Sequence, residues 1–363
     1  MSTPLLVLIT GATGRIGAHL TRMLVAAGHQ VRALAVPNDP RINVVAGPNA
    51  QVVIGRLEDP QAVRQAVAGV DAVYHLAGAL TSRGNTDEEF FDANLRGTFN
   101  LLMAIRSRAP HIQRLVYASS DAVYWPGGHA GSQFLPVDET HPVLTGSIYG
   151  ATKAAAEQLC LAFWRGYAIP TTVLRFGATA DAQELIDPSS VFARWLFVES
   201  SLRHLTAGGP PPDAQAADLL SALQRHETRS GQVLILEDLT GRPEIRQWAD
   251  ARDIAAGCAQ VLTSPAGVGE IFNLGGVSPH GADELAHYLA EKLNRPWVTI
   301  RTAAARAPWY ISSAKARAVL GYAPNWSVFD MVDDALAKAQ AASSGRGFMQ
   351  AGGPPDAVAP NLG

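Results

Sequence analysis

"ITGATGRIG", Ile9 to Gly17, is the stretch on which the reading of this chain turns. Gly11, Gly14 and Gly17 stand three apart, directly behind the apolar run Leu5-Leu6-Val7-Leu8-Ile9. A glycine has no Cβ, so the backbone can turn sharply there and come close to a ligand. A helix N-terminus offers unpaired N–H groups and a partial positive charge, which suits a pyrophosphate. A strand, a glycine turn and a helix in that order therefore read as a dinucleotide site. Leu5–Ile9 has the length and character of a buried parallel strand. Ile16, Leu20 and Leu24 recur at helical spacing, and Gly28 ends that helix. The alternative is a glycine-rich turn that binds nothing; strand and helix on both flanks weigh against it.

The whole chain bounds the rest. Its 363 residues are 47% apolar and 17% charged, with a formal charge of −3. That balance fits a globular protein with a large core. Lys and Arg form no stripe, so nucleic acid is not an expected partner. Cys160 and Cys258 read as buried thiols, with neither a disulfide framework nor zinc spacing, and no metal is expected. No apolar run approaches the roughly 20 residues of a membrane helix. The N-terminus shows no basic region followed by a cleavage signal, so the expected location is cytoplasmic.

Short apolar runs alternate with helical patterns through the first half. The strands are read at Val31–Val36, Val52–Ile54, Ala72–Leu76, Leu115–Ala118 and Thr172–Leu174, and the helices at Pro60–Val67, Phe90–Arg106 and Tyr149–Trp164. This alternation predicts an α/β fold, a Rossmann-type doubly wound parallel sheet with a smaller C-terminal substrate lobe. The dinucleotide-binding domain is expected over 1–175, with a returning segment at about 231–262. The lobe is expected over 176–230 and 263–340. Within it, helices are read at Ser189–His204 and Ala216–Glu227, a Pro/Gly loop at Thr206–Gln215 and a strand at Val233–Leu236. The tail 341–363 is rich in Gly, Pro, Ala and Ser and is expected to be mobile.

"YGATK" places Tyr149 and Lys153 at i and i+4, on one face of a helix. A free tyrosine has a pKa near 10, too high for a base at neutral pH. A lysine cation one turn away is expected to lower it and make an acid–base group for a hydroxyl or carbonyl. Alone the pair is common on exposed helix faces. "YASSDAVY", Tyr117–Tyr124, adds Ser120 at a strand end, where its hydroxyl could hold a substrate oxygen. The plainer role for Ser119 and Ser120 is a polar strand end or cap.

From about Leu5 to Lys338 the chain resembles the extended short-chain dehydrogenase/reductases, the epimerase/dehydratase branch. "TGATGRIG" is similar to the family's TGxxGxxG loop, which explains the wide first gap. "HLAG", "NLRGTFNLL", "ASSDAVY", "YGATK", "LRFG", "ARDIA" and "FNLGG" follow in family order. The resemblance implies that Ser120, Tyr149 and Lys153 form the catalytic triad, with Asn94 in support. It implies cofactor contacts from Gly11, Thr13, Gly14, Arg15, Ile16 and Gly17, from Leu76, Ala77 and Gly78, and from Tyr149 and Lys153, the last holding the nicotinamide ribose. A homodimer is implied by analogy.

Three departures refine the expectation. NAD-preferring members usually end the second strand with an acid, but here Ala35 and Val36 stand there. Asp39 is the candidate for the ribose diol, and Arg32 or Arg41 for a 2′-phosphate; the cofactor is NAD or NADP, with NAD favoured. Ala122 replaces the glutamate of the sugar-nucleotide dehydratases, which argues against dehydration. Ala178 replaces an asparagine that holds nucleotide sugars, which favours free sugars or sugar acids. The first reading is thus an NAD(P)-dependent oxidoreductase on a secondary alcohol or ketone of a sugar-like or polyol-like small molecule. The alternatives are a 4-epimerase, reduction of a steroid-like or flavonoid-like ketone, and a non-catalytic dinucleotide sensor. Phe192, Trp195 and Phe197 read as lobe core sooner than as a ligand wall.

Overall fold

Val7, Leu8 and Ile9 are completely buried, because their strand lies inside a sheet covered on both faces. The computed structural model describes residues 3–45, 47, 49–80, 85–127, 131–207, 214–225 and 231–349. The first six strands are Leu6–Thr10 (β1), Gln30–Ala35 (β2), Ala50–Ile54 (β3), Ala72–His75 (β4), Arg114–Ser120 (β5) and Thr171–Phe176 (β6). With Ile271–Leu274 they form one seven-stranded sheet in the order 271–274, β6, β5, β4, β1, β2, β3. Every pairing in it is parallel. The strand order reverses between β1 and β4, and their carboxyl ends open the crevice where such sheets take ligands.

Helices on the two faces build separate cores. Arg15–Ala26 (α1) buries Leu20 and Leu24 against Ile254, Ala255 and Cys258 of the helix Ala251–Val261. On the other face pack Pro60–Val67 (α2), Gly97–Arg108 (α4) and Ile148–Tyr167 (α5), with Val63, Leu101, Ile105, Ala156 and Cys160 inward. Both cysteines are free and buried. Asp87–Phe90 (α3), with a capping box from Thr86 and Glu89, leads into α4.

The structure corrects several sequence readings. The helix expected over Phe90–Arg106 is interrupted: between α3 and α4 the residues Phe91–Arg96 form a π-helical turn around Asn94. The strand Val233–Glu237 does not return to the main sheet; it pairs in parallel with Trp297–Arg301 inside the lobe. The segment that returns is the helix Ala251–Val261, and the strand joining β6 is Ile271–Leu274. Short apolar runs of equal length carry no signal for which partner they take. Of the helix expected at Ser189–His204 only Val198–Thr206 forms, after a 3₁₀ turn at Ala193–Trp195, because Phe197 is extended (φ −132°, ψ 136°). Ala214–Arg225 is helical, whereas Glu227 and most of the Pro/Gly loop lie outside the described residues. The last helix, Val328–Met349, carries helical backbone from Ala341 to Met349 into the segment expected to be mobile; 350–363 lie outside the described residues. Among the described residues no helix is long and apolar enough to cross a membrane.

Candidate active site

A cleft of about 430 Å³ lies over the carboxyl ends of β1, β2, β4 and β5. Its wall includes Gly11, Thr13, Gly14, Arg15, Ile16, Gly17, Leu76, Ala77, Gly78, Tyr149 and Lys153, the full cofactor set expected from the sequence. The glycines have distinct reasons. Gly11 has φ +74°, and a Cβ there would stand 2.8 Å from the Ala77 nitrogen. A Cβ on Gly17 would stand 2.1 Å from the Gly11 carbonyl oxygen, so helix and loop meet backbone to backbone. Gly14 is the N-cap of α1, with no side-chain acceptor and no acid in the first turn. That leaves the helix's positive end for an external anion, and the cleft therefore fits a dinucleotide.

The far end of the cleft holds the residues expected to bear on cofactor choice. Ala35, Val36, Asp39 and Arg56 line it. Asp39 is fixed there: its Oδ2 accepts from Thr13 Oγ1 at 2.6 Å and its Oδ1 from the Arg41 nitrogen at 2.8 Å. Arg32 is not available, since its Nη1 donates to the Ala66 and Ala68 carbonyls below α2. Arg15 lines the cleft but commits its guanidinium to Glu184 of the lobe, and it lies 4.8 Å over the Phe192 ring.

At the near end stand Tyr149 and Lys153, both buried on α5. Lys153 Nζ donates to the Ala118 carbonyl at 2.9 Å. Burial pulls its ammonium down to about 8, while Cys160 and Glu157 favour the charge. Burial pushes the Tyr149 phenol up to about 12; the Ser120 hydroxyl pulls it down and Asp121 pushes it up. This reverses the shift expected from the i, i+4 spacing. The spacing aligns the two side chains on one face, but Lys153 turns to the β5 carbonyl, and desolvation decides the phenol. At neutral pH the Tyr149 phenol is therefore protonated.

Ser120 ends β5, where its Oγ accepts from the Ala122 nitrogen at 3.2 Å and donates to Asp121 Oδ1 at 3.2 Å. It therefore caps the following turn and also touches the phenol. Asn94 sits differently. Its Oδ1 accepts from the Ala79 nitrogen at 2.8 Å, and its Nδ2 donates to Ala79 O and Thr152 Oγ1. It ties the Leu76–Ala79 loop to α5, and a Cβ on Gly78 would collide with it at 2.6 Å. His75, 1% exposed, bridges Thr10 and Thr98 and is held down to about 3 by burial, hence neutral.

Sequence reasoning missed the groups that hold the triad from outside. Asp121 Oδ2 accepts from Trp309 Nε1 of the lobe at 2.9 Å, and burial pushes its carboxyl up. Glu157, one turn past Lys153, pairs with buried Arg175, whose Nη1 donates to Tyr124 Oη. Only the i, i+4 stripe Tyr149, Lys153, Glu157 carried a local hint. Phe197 is core as expected, whereas Phe192 and Trp195 are half-buried and pack against Trp248. A second cavity of about 600 Å³ opens at the amino ends of the strands, where His29 and Asp71 accept the Leu5 and Leu6 amides. It lies away from the glycine loop and the triad.

The pattern that defines the NAD dependent epimerase/dehydratase family matches residues 7–194, more than half of the chain. The chain belongs to that family. Over 359 residues, 94% of this chain and 98% of the relative, it is 34% identical to the 4-hydroxy-2-methyl-3-oxo-4-farnesyl-3,4-dihydroquinoline-1-oxide ketoreductase of Stigmatella aurantiaca. Over 160 residues, 43% of this chain and 46% of the relative, it is 39% identical to the 2-alkyl-3-oxoalkanoate reductase of Stenotrophomonas maltophilia. A solved short-chain dehydrogenase/reductase superfamily protein of Agrobacterium tumefaciens, with bound NAD, superposes with a TM-score of 0.82 at 30% identity, over 94% of this chain and 99% of that one. This member of the family is an NAD(P)-dependent enzyme of the extended short-chain type.

Proposed function

We propose that this family member is an NAD-dependent ketoreductase acting on an apolar or aromatic ketone. One observation carries the reading. A buried tyrosine, held protonated and touched by a serine hydroxyl, closes the end of a dinucleotide cleft. A protonated phenol donates to a carbonyl oxygen as that oxygen gains charge, which is the acid role of a reduction. In this reading Ser120 and Tyr149 hold the carbonyl oxygen, and the phenol proton passes to it. The bound cofactor supplies hydride transfer between its nicotinamide and the carbonyl carbon. Lys153, cationic below pH 8, holds the ribose side of the cleft. Asn94 is a positioning residue that keeps the Leu76–Ala79 loop in place. Asp39 takes the ribose diol in place of Ala35 and so favours NAD over NADP.

An apolar ketone ranks ahead of the sugar-like or polyol-like substrate expected from the sequence. The support is that two relatives bear the names of ketone reductases, one for a farnesylated ring, and that Arg15, which lines the cleft, lies over the ring of half-buried Phe192. The cytoplasmic location and a homodimer belong to the same reading. Two free buried thiols support the first, and exposed Phe99 and Met103 on α4 support the second, which sedimentation velocity checks. The experiment for the activity is NADH consumption against a panel of aryl and alkyl ketones. Wild type should oxidise one NADH per alcohol formed, and Tyr149→Phe should be about 10²–10⁴-fold slower with unchanged NADH affinity. Product without net NADH change would make the enzyme an epimerase.

A further inference from the structure

The glycine loop meets the lobe through a guanidinium. Arg15 opens α1, directly after the N-cap Gly14, and lines the dinucleotide cleft. Its side chain reaches the short lobe helix Ala182–Ile186. There Nε donates to Glu184 Oε2 at 2.5 Å and Nη2 to Glu184 Oε1 at 2.6 Å, while the guanidinium carbon stands 4.8 Å over the Phe192 ring. One turn along α1, His19 Nε2 meets Asp181 Oδ1 at 3.0 Å. Glu184 is itself held. Its Oε2 accepts the Asp181 backbone N–H at 2.8 Å, and its neighbour Gln183 donates to the Ala335 carbonyl of the last helix. Arg15 is therefore fixed from the lobe side by a carboxylate that has little freedom of its own.

A guanidinium carries five N–H donors, enough for a pair of hydrogen bonds on each of two edges. Glu184 takes the side edge, Nε and Nη2. The end edge, Nη1 and the second Nη2 proton, carries no hydrogen bond among the described residues. Gly14 likewise gives the first amides of α1 no side-chain acceptor, and no acid stands in the first turn. Two sets of unmet donors on consecutive residues thus border one cleft. A dinucleotide brings its pyrophosphate to such a helix N-terminus. An arginine at the first helical position lies within a side chain's length of an anion bound there, and its planar fork matches a phosphate as well as a carboxylate.

We propose that Arg15 bridges two anions, Glu184 of the lobe on one edge and the pyrophosphate of the dinucleotide on the other, with Glu184 as the positioning residue that aims it. Cofactor binding and docking of the lobe on the glycine loop are then coupled, each favouring the other. The proposal rests on NAD occupying this cleft and on no particular substrate.

The test needs no turnover. Amide exchange of the full-length protein is followed by mass spectrometry with and without saturating NAD. NAD affinity is measured by calorimetry for wild type, Arg15→Met, Glu184→Leu, Glu184→Gln and the double variant Arg15→Met/Glu184→Leu. In wild type, NAD should slow exchange over residues 181–186 at least about threefold. In Arg15→Met it should leave that segment unchanged. Arg15→Met and Glu184→Leu should each lose about five- to tenfold in NAD affinity, and Glu184→Gln, which keeps an acceptor, should lose less. The double variant should bind NAD as Arg15→Met does, because Glu184 acts through Arg15; a glutamate that merely held the lobe together would add a loss of its own. Exchange over 181–186 that NAD leaves unchanged in wild type, or slows equally in Arg15→Met, overturns the bridge. So does a Glu184→Leu protein that binds NAD as tightly as wild type or tighter, which would make Glu184 a competitor for the guanidinium. The wild-type exchange comparison stands whether or not a variant folds. Wild type that binds no NAD would strike the cleft assignment too, whereas binding without protection strikes the bridge alone.

Discussion

Tyr149→Phe removes one oxygen from a ring that packs edge-on to Phe90 at 6.1 Å between centroids, so the packing survives the change. What it removes is a proton held unusually tightly. Burial first, and the Asp121 charge in the same direction, push the phenol up to about 12 against the pull of the Ser120 hydroxyl. An ordinary tyrosine titrates near 10 and is about half ionised at pH 10; this one should be about 1% ionised there. A near-ultraviolet absorbance titration of wild type minus Tyr149→Phe isolates the single phenol, without any substrate. The difference should show no phenolate step up to pH 10. The kinetic counterpart follows. The proton donor is in place throughout pH 6–9, so ketone reduction should not vary with pH through this group. The reverse oxidation, which needs the phenolate, should rise about tenfold per pH unit. A phenolate step at or below pH 9, with oxidation flat across the same range, would refute the acid assignment and restore the expectation that Lys153 lowers the phenol.

Lys153, held down to about 8 against 10.5 when unfolded, keeps its proton in both states below pH 8; between about 8 and 10.5 only the unfolded chain carries it, so folding gains stability as pH rises. In urea unfolding the stability of wild type minus that of Lys153→Met should grow by about 2 kcal/mol from pH 7 to 9.5, and a constant difference would reject the shift. Gly14→Val puts a branched side chain at the N-cap of α1, where a Cβ already meets the Gly11 oxygen at 3.0 Å; NAD affinity by calorimetry should fall at least about tenfold with the melting temperature little changed. Asp39→Asn removes the carboxylate that would repel a 2′-phosphate, so the ratio of NADPH to NADH affinity should rise about tenfold. An unchanged ratio in a fluorescence titration would take Asp39 out of cofactor choice.

What the sequence by itself determined is what local spacing encodes. Three glycines behind five apolar residues specify strand, turn and helix, because the turn needs a residue without Cβ and the helix needs its apolar stripe. Tyr149 and Lys153 share a face because i and i+4 are neighbours on any α-helix. The alternation of short apolar runs with helical patterns specified a wrapped parallel sheet. Tertiary structure decided everything that depends on a partner far along the chain. Val233–Glu237 and Ile271–Leu274 are alike as apolar runs, and only packing sends the second to β6 and the first to 297–301. Asp39 for the ribose diol and Arg32 for a 2′-phosphate both stayed open until folding sent Arg32 under α2 and tied Asp39 to Thr13. Asn94 became a loop anchor because a π-helical turn aims it at Ala79. The sign of the Tyr149 shift was out of reach of spacing, because desolvation depends on everything packed around the ring. The pairing of Arg15 with Glu184 joins residues 169 positions apart, and no local pattern contains it.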